Sequence, residues 1–253
     1  MKIKVLHIIP NLGTGGAEKL LLDLLSNYDK SKFEMAVLSL YDKSHTIYED
    51  QLEKIGIEVF HLGKKTGIDI SMIRKILRVF KAYSPDVIHT HLYVVKYTLI
   101  PSIIKRIPVK IHTVHNIAEK ELNSIGIKVQ HIAYKYFKYK PVSISSSISK
   151  SIQKLYRLKS DIPLINNGID IDKYYIKKSD PESKIINLIH VGRFSPQKNH
   201  NMLIDAFNLI VKERSDIRLT LVGDGELREV IEKKVQHLGI SGYVDFLGVR
   251  KDI

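Results

Sequence analysis

Two basic side chains, Arg193 and Lys198, lie close together in a loop-like segment. Residues 190–198 read HVGRFSPQK and follow an apolar run that predicts a parallel strand. The two cations therefore fall at the carboxyl end of a strand, the edge at which open α/β sheets bind ligands. Arginine offers forked hydrogen bonds and lysine a point charge, so the pair suits a diphosphate and the charge that develops on it as it leaves. The alternative is a pair of solvated loop cations.

A glycine-rich turn follows the first apolar run of the chain. Residues 10–18 read PNLGTGGAE, and a helical pattern begins directly after them. Glycine lets backbone N–H groups and a helix N-terminus approach phosphate without a Cβ clash, and a merely tight turn is the other interpretation. The dinucleotide fingerprint G-x-G-x-x-G requires glycine at the position of Glu18. NAD binding is therefore disfavoured, and an NAD-dependent oxidoreductase remains only as an alternative.

Two histidines, His89 and His91, share one side of a predicted strand. Their spacing would allow both rings to bind one metal ion. The chain has no cysteine, and no carboxylate lies near the pair in sequence. We therefore predict that the two rings make hydrogen bonds, and we expect no metal and no other cofactor.

The elements that position these residues follow an alternating pattern. Short β-branched runs alternate with segments of helical period, which predicts parallel sheets and an α/β fold. The predicted strands are residues 3–9, 33–40, 57–62, 86–90, 109–114, 141–145, 162–166, 185–191, 217–222 and 243–247. The polar residues 167–184 predict a linker between a domain of residues 1–166 and a domain of residues 185–253. Because three strands would leave an uncovered edge, we expect the second domain to be incomplete.

The composition is that of a globular protein with unevenly distributed charge. Of 253 residues, 44% are hydrophobic and 26% are charged, and the formal net charge is +13. The lack of cysteine excludes disulfides, thiolate catalysis and sulfur-ligated zinc. Residues 96–159 hold 13 basic and 2 acidic side chains, which predicts a polyanionic partner or an anionic surface. No module that reads nucleic acid is present, so we expect no nucleic acid partner.

An anionic membrane surface could also attract the basic side chains of residues 96–159. Residues 131–140 read HIAYKYFKYK, and such a helix could place rings at the headgroups and lysines on phosphate. The alternative is a helix that packs on the sheet with solvated lysines. No apolar run is long enough to cross a bilayer. We therefore predict a cytoplasmic protein with peripheral association at the inner membrane face.

Eight short motifs occur in one order along the whole chain. They are GTGGAE at 13–18, HTH at 89–91, TVHN at 113–116, VSISSS at 142–147, NNGID at 166–170, GRFSPQKN at 192–199, LVGDGELR at 221–228 and FLGVRKDI at 246–253. Together they resemble the family 4 glycosyltransferases. This resemblance implies the GT-B fold, in which two Rossmann-like domains face each other across a cleft. It also implies a retaining hexosyltransferase that needs no metal.

The resemblance assigns roles to individual residues. Arg193 and Lys198 match the pair that grips the donor phosphates, and His115 matches a histidine near the transferred sugar. The remaining matches line the donor: Gly15 and Gly16 at the diphosphate, Gly192 in the phosphate loop, Gly223 and Gly225 on the nucleotide side, and Val249 and Arg250 near the base.

The resemblance also implies the substrates. The donor would be a UDP- or GDP-linked sugar, and the acceptor a glycan or a polyprenyl-diphosphate-linked glycan in cell-surface polysaccharide or lipopolysaccharide synthesis. The family carries an acidic motif of two glutamates further along the second domain, and residue 253 precedes it. A non-catalytic fragment that binds nucleotide or membrane is therefore the alternative function.

Overall fold

The computed structural model describes residues 1–13, 15–171 and 185–250. The chain divides into two compact units, Met1–Tyr174 and Tyr175–Ile253. The division falls within the predicted linker, most of which lies outside the described residues. Thr14 and residues 251–253 of the quoted motifs lie outside them as well.

The described residues of the first unit form a parallel sheet of six strands with helices between them. The strands are β1 (Ile3–Ile9), β2 (Phe33–Ser39), β3 (Glu58–His61), β4 (Val87–His91), β5 (Val109–Val114) and β6 (Tyr139–Ser143). The helices are α1 (Gly16–Asn27), α2 (Ile47–Lys54), α3 (Ser71–Tyr83), α4 (Val95–Ile104), α5 (Ala118–Glu121), α6 (Ser124–Tyr136) and α7 (Ser146–Tyr156). The strand order β3-β2-β1-β4-β5-β6 is that of a doubly wound fold.

The strand predicted at residues 162–166 is wrong. In its place the chain makes one isolated parallel bridge, between Leu164 and Ser143 at the end of β6. Only two backbone bonds hold it, from the Ser143 amide to the Pro163 carbonyl and from the Ile165 amide to the Ser143 carbonyl, both 2.9 Å long. Proline has no N–H to extend the ladder, and the side chains of Leu164 and Ile165 are exposed.

Helices cover β1 and its neighbours on both faces of the first sheet. The buried side chains of α1 are Leu21, Leu22 and Leu25, which pack with Ile9 at the end of β1 and Val37 of β2. On the opposite face, α3 and α4 contact each other and cover the same central strands. Burial of this kind contributes roughly 25 cal/mol per Å² of apolar surface. The helices packed on both faces therefore hold the carboxyl edge of the first sheet in place.

The second unit repeats the pattern with a smaller sheet. Its elements are β7 (Ile186–Val191), α8 (His200–Glu213), β8 (Ile217–Val222), α9 (Arg228–His237) and β9 (Val244–Gly248). The parallel order is β7-β8-β9. Phe207, Leu219 and Ile231 lie in a core of their own, whereas apolar side chains of β7 stay exposed, Ile189 by 67%. The three strands predicted for this half, residues 185–191, 217–222 and 243–247, agree with these bounds within a residue.

Among the helices of the described ranges, none combines the length and the apolar character that a membrane-spanning segment needs.

Candidate functional site

Three loops meet at the carboxyl edge of the second sheet. The loop after β7 is tied to the end of β8 by the Gly192 amide, which donates to the Val222 carbonyl at 2.9 Å. The loop after β8 is tied to the end of β9 by the Gly223 amide, which donates to the Gly248 carbonyl at 2.8 Å. Because the three strands are parallel, all three loops leave the sheet at one edge. This is the edge that the sequence predicted for a ligand.

Two glycines allow the first two loops to touch. A Cβ at Gly223, where φ is +135°, would lie 2.1 Å from the carbonyl oxygen of Gly192. A Cβ at Gly225 would lie 2.7 Å from the carbonyl oxygen of Phe194. The Phe194 amide completes the contact by donating to the Asp224 carbonyl at 3.0 Å. The turn at residues 223–225 therefore fixes the backbone of the loop after β7, residues 192–199, which we call the basic loop. Glycine is required in the turn because a Cβ there would clash with the backbone of the basic loop.

The basic loop presents both predicted cations to solvent. The Arg193 side chain is 74% exposed, and its Nη2 atom lies 3.2 Å from Oε2 of Glu226. The Lys198 side chain is also exposed, and its aliphatic part crosses Gly192, where a Cβ would lie 3.3 Å from its Cγ and Cδ atoms. The sequence analysis gave no indication of this pairing of Arg193 with Glu226.

A buried aromatic stack supports this loop from below. The Phe194 ring lies on the His200 ring with centroids 4.1 Å apart and an interplanar angle of 13°. His190 meets His200 edge-on at 4.8 Å. Burial lowers the pKa of both histidines; the charge of Lys198 adds to this effect at His190, and His190 and then Lys198 add to it at His200. The stack is therefore neutral at physiological pH and does not add to the positive charge of the loop.

Val249 and Arg250 directly follow β9, so they lie at the same edge as the basic loop. Val249 is 61% exposed. The structure thus brings together all the residues of the second unit that the sequence assigned to the donor. They are Gly192, Arg193, Lys198, Gly223, Gly225, Val249 and Arg250.

The predicted site residues of the first unit also lie at a carboxyl sheet edge. Gly15 is the N-cap of α1, and a Cβ at Gly16 would meet nothing within 4 Å. The Glu18 carboxylate folds back over Gly15, with Oε2 2.3 Å from where a Cβ would be. Burial raises the pKa of Glu18. His115 lies just after β5 and is partly buried, and burial lowers its pKa to about 4.

A cluster of histidines surrounds this part of the edge. The His89 and His91 rings stack with centroids 4.4 Å apart, so they share one side of β4 as predicted. His89 Nε2 lies 2.7 Å from the Thr113 hydroxyl, which confirms the predicted hydrogen bonding. His7 is the member that the sequence analysis missed; its register partner in β4 is His89. His7, His89 and His91 each place one ring nitrogen within 4.8 Å of the others, and the expected absence of a metal stays a prediction.

A cavity of about 420 Å³ opens at the carboxyl edge of the first sheet. Its lining residues follow several strands of the first sheet and are Tyr41, Lys64, Gly67, Ile68, Tyr93, Lys96, Tyr97, Glu121, Leu122 and Asn123. The Lys96 ammonium lies 5.2 Å from the ring centroids of both Tyr93 and Tyr97. Burial raises the pKa of Glu121 to about 8, so its carboxyl group keeps its proton at neutral pH. No motif in the sequence indicated these groups, because they come from separate helices and loops.

Comparison with known proteins identifies the class. Residues 14–173 match the model of Glycosyltransferase Family 4, and residues 172–253 match that of Glycosyl transferases group 1. The first match covers more than half of the chain, so the chain belongs to glycosyltransferase family 4. The resemblance that the sequence motifs indicated is thereby confirmed.

Individual relatives are longer than this chain. An uncharacterized glycosyltransferase of Methanocaldococcus jannaschii is 27% identical over 86% of this chain and 62% of its own length. The GalNAc-α-(1→4)-GalNAc-α-(1→3)-diNAcBac-PP-undecaprenol α-1,4-N-acetyl-D-galactosaminyltransferase of Campylobacter jejuni is 24% identical over 97% of this chain and 68% of its own length. The chain therefore spans about two thirds of the relatives it matches.

A solved structure shares the fold. The crystal structure of Anabaena HepE in complex with UDP and glucose superposes with a TM-score of 0.80 at 21% identity, covering 99% of this chain and 70% of that chain. The predicted fold class, an α/β fold of the GT-B type, is confirmed.

Proposed function

We propose that this chain is the donor- and acceptor-binding part of a retaining glycosyltransferase. It takes a UDP- or GDP-linked sugar and transfers the sugar to a glycan or a polyprenyl-diphosphate-linked glycan during cell-surface polysaccharide or lipopolysaccharide assembly. The reaction needs no metal, since main-chain donors and fixed cations neutralise the leaving diphosphate. Family membership supports the class.

One observation carries the donor site: the exposed cations Arg193 and Lys198 lie on a loop that is locked to the Gly223–Gly225 turn. A rigid loop keeps its charges in place before the ligand arrives, so binding a diphosphate costs little reorganisation. Arg193 leaves or shares its ion pair with Glu226 when the diphosphate binds. Because that pair is exposed, it opposes binding by less than about 1 kcal/mol.

The cavity lined by Lys96 and Glu121 supports an acceptor that carries an anionic group. Among the described residues, no carboxylate lies within ion-pair distance of Lys96, and the faces of Tyr93 and Tyr97 flank its ammonium. The protonated carboxyl of Glu121 adds a hydrogen-bond donor. A cation, ring faces and a neutral acid together suit a sugar linked to diphosphate. The name of the Campylobacter jejuni relative gives an acceptor of this chemistry.

Two neighbouring helices support peripheral binding to an anionic membrane at the cytoplasmic face. α4 exposes Ile100, Ile103 and Ile104, and α6, which contacts α4, exposes Ile125 and Ile132. Both helices belong to the strongly basic stretch of residues 96–159. α6 also packs on the first sheet through its buried side chains, as the alternative interpretation of residues 131–140 predicted. The helix expected over the whole stretch ends at Tyr136, because β6 begins at Tyr139. Tyr136 is exposed, whereas Tyr134 and Tyr139 are buried.

The donor site is tested by calorimetric titration of the chain with UDP, GDP and NAD. We expect binding of one of the two diphosphates and none of NAD. Replacement of both Arg193 and Lys198 by alanine should weaken that binding about 100- to 10,000-fold, since charged hydrogen bonds contribute about 1.5–3 kcal/mol each. The matched control is Arg214→Ala, which removes another exposed arginine of the same unit, one paired with Asp216. Equal affinity of the double variant and the control would contradict the proposal.

The acceptor site is tested with a short prenyl diphosphate as competitor in a transfer assay on the full-length enzyme. Lys96→Met should raise the inhibition constant of the competitor and leave that of UDP unchanged. Lys105→Met, an exposed lysine just after α4, is the control. If Lys96→Met changes neither constant, the cavity is not the acceptor site.

Membrane binding is tested by sedimentation with vesicles of neutral lipid alone or with anionic lipid added. We expect more bound protein on the anionic vesicles and less at high salt, because salt screens the attraction. Serine in place of Ile103 and Ile104 should reduce sedimentation further. Equal sedimentation with both kinds of vesicle at low salt would refute the membrane proposal.

A further inference from the structure

Three histidines of the first unit form a continuous hydrogen-bonded chain. His7 Nδ1 lies 3.2 Å from His91 Nε2, and His91 Nδ1 lies 3.1 Å from His115 Nε2. His7 and His91 are buried on β1 and β4, while His115 is partly exposed just after β5. This row of hydrogen-bonded histidines therefore has one buried end, at His7 Nε2, and one end that solvent or a ligand can reach, at His115 Nδ1.

The number of protons limits the tautomers that the three hydrogen-bonded histidines can adopt. Burial lowers the pKa of all three histidines, that of His115 to about 4, so each ring is neutral at physiological pH and carries one proton. Two of the three protons occupy the two hydrogen bonds. The third must lie at one end of the chain.

The buried end cannot hold that proton at low cost. His7 Nε2 is buried and has no hydrogen-bond partner among the described residues. Orphaned buried N–H groups are rarer than unsatisfied buried acceptors, and leaving one unpaired costs about 1–3 kcal/mol. At the His115 end, water or a ligand can accept the proton. The bonds therefore run from His7 to His91 and from His91 to His115.

We propose that His7 and His91 are positioning residues that hold His115 in its Nδ1–H tautomer, so that His115 donates a hydrogen bond to a hydroxyl oxygen of a bound sugar. The sugar rests on the proposed function, whereas the tautomer does not. Which ring nitrogen of a histidine carries the proton is set by the bond that the other nitrogen makes. His91 supplies that bond to Nε2 of His115, and His7 fixes the direction in which His91 donates.

The tautomer is measured by long-range ¹H–¹⁵N NMR spectra of the histidine-labelled chain at pH 7.5. We expect all three rings to carry their proton on Nδ1, with the exposed His45 as the reference for a free ring. A proton on Nε2 of His115, or a charged ring anywhere in the chain of three, would overturn the proposal. So would a titration with Zn²⁺ that shifts the signals of His7, His89 and His91 together, because a metal would occupy the nitrogens that the bonds require.

Two variants separate positioning from folding. His91→Leu removes both bonds and should move the His115 proton to a mixture resembling that of His45. His91→Asn places an amide nitrogen near the former Nδ1 atom and should keep the Nδ1–H tautomer of His115. If His91→Leu does not fold, the pair His7→Leu and His7→Asn gives the same comparison at the buried end. Unchanged His115 signals in a folded leucine variant would refute the proposal that His7 and His91 fix the tautomer of His115.

Activity of the full-length enzyme supplies the second readout. His91→Leu should lower kcat about 10- to 100-fold with little change in KM for the donor, as expected when a reacting group is misplaced, and His91→Asn should restore most of it. An equal loss in both variants would mean that His91 only supports packing, and would overturn the proposal. If no nucleotide sugar is turned over at all, the proposed function fails, and the NMR result still decides the tautomer.

Discussion

The buried carboxyl group of Glu121 should make the first unit less stable as the pH rises. Both of its oxygens are buried, and burial, only partly offset by the backbone amide of His115, raises its pKa from 4.5 to about 8. Between these two values the unfolded chain releases a proton that the folded chain keeps. The free energy of unfolding therefore falls with increasing pH, from its full value below pH 4.5. At pH 7 the loss is about 3 kcal/mol, since one pKa unit corresponds to about 1.4 kcal/mol.

Glu121→Gln removes the ionisation and should therefore remove this loss. The difference in free energy of unfolding between the variant and the parent should grow in favour of the variant by about 3 kcal/mol from pH 5 to pH 8. The burial of an unpaired amide adds a constant offset but no pH dependence. Urea denaturation followed by circular dichroism at several pH values measures the difference.

Glu119→Gln is the matched control, because Glu119 lies two residues earlier on α5 and is exposed. It should follow the parent at every pH. The reasoning is refuted if Glu121→Gln also follows the parent between pH 5 and pH 8, since the carboxyl would then ionise as easily in the folded chain as in the unfolded one.

Two further substitutions test the packing that positions the sites. Gly223→Ala would place a Cβ 2.1 Å from the Gly192 carbonyl oxygen. It should therefore lower the free energy of unfolding of the second unit by about 1–3 kcal/mol in urea denaturation and weaken diphosphate binding in calorimetric titration. Gly242→Ala, with open space at its Cβ, is the control and should change neither quantity. Tyr139→Phe removes a buried hydroxyl that lies 3.1 Å from each of two hydroxyl groups of α4, and should cost about 1–2 kcal/mol in urea denaturation, whereas the exposed Tyr136→Phe should leave the midpoint unchanged.

The sequence by itself determined the elements and the phosphate-type loop. Strand and helix patterns depend on short-range periodicity, so β1, β5 and β8 lie where the apolar runs predicted them. The placement of Arg193 and Lys198 at a carboxyl sheet edge follows from the parallel connection alone. Eight local motifs in order were enough to identify the family. The strand predicted at 162–166 failed because a local apolar run does not ensure a ladder partner.

Only the tertiary structure decided which groups meet. His7 and His115 are 108 residues apart in sequence, and they join through His91 because β1 pairs with β4 and β4 with β5. The burial of Glu121 and the pairing of Arg193 with Glu226 likewise depend on contacts between elements that are separate in sequence. A pattern in the sequence reports the period of one element, whereas hydrogen bonds and pKa shifts depend on distances and on the loss of water, which the packing of several elements sets.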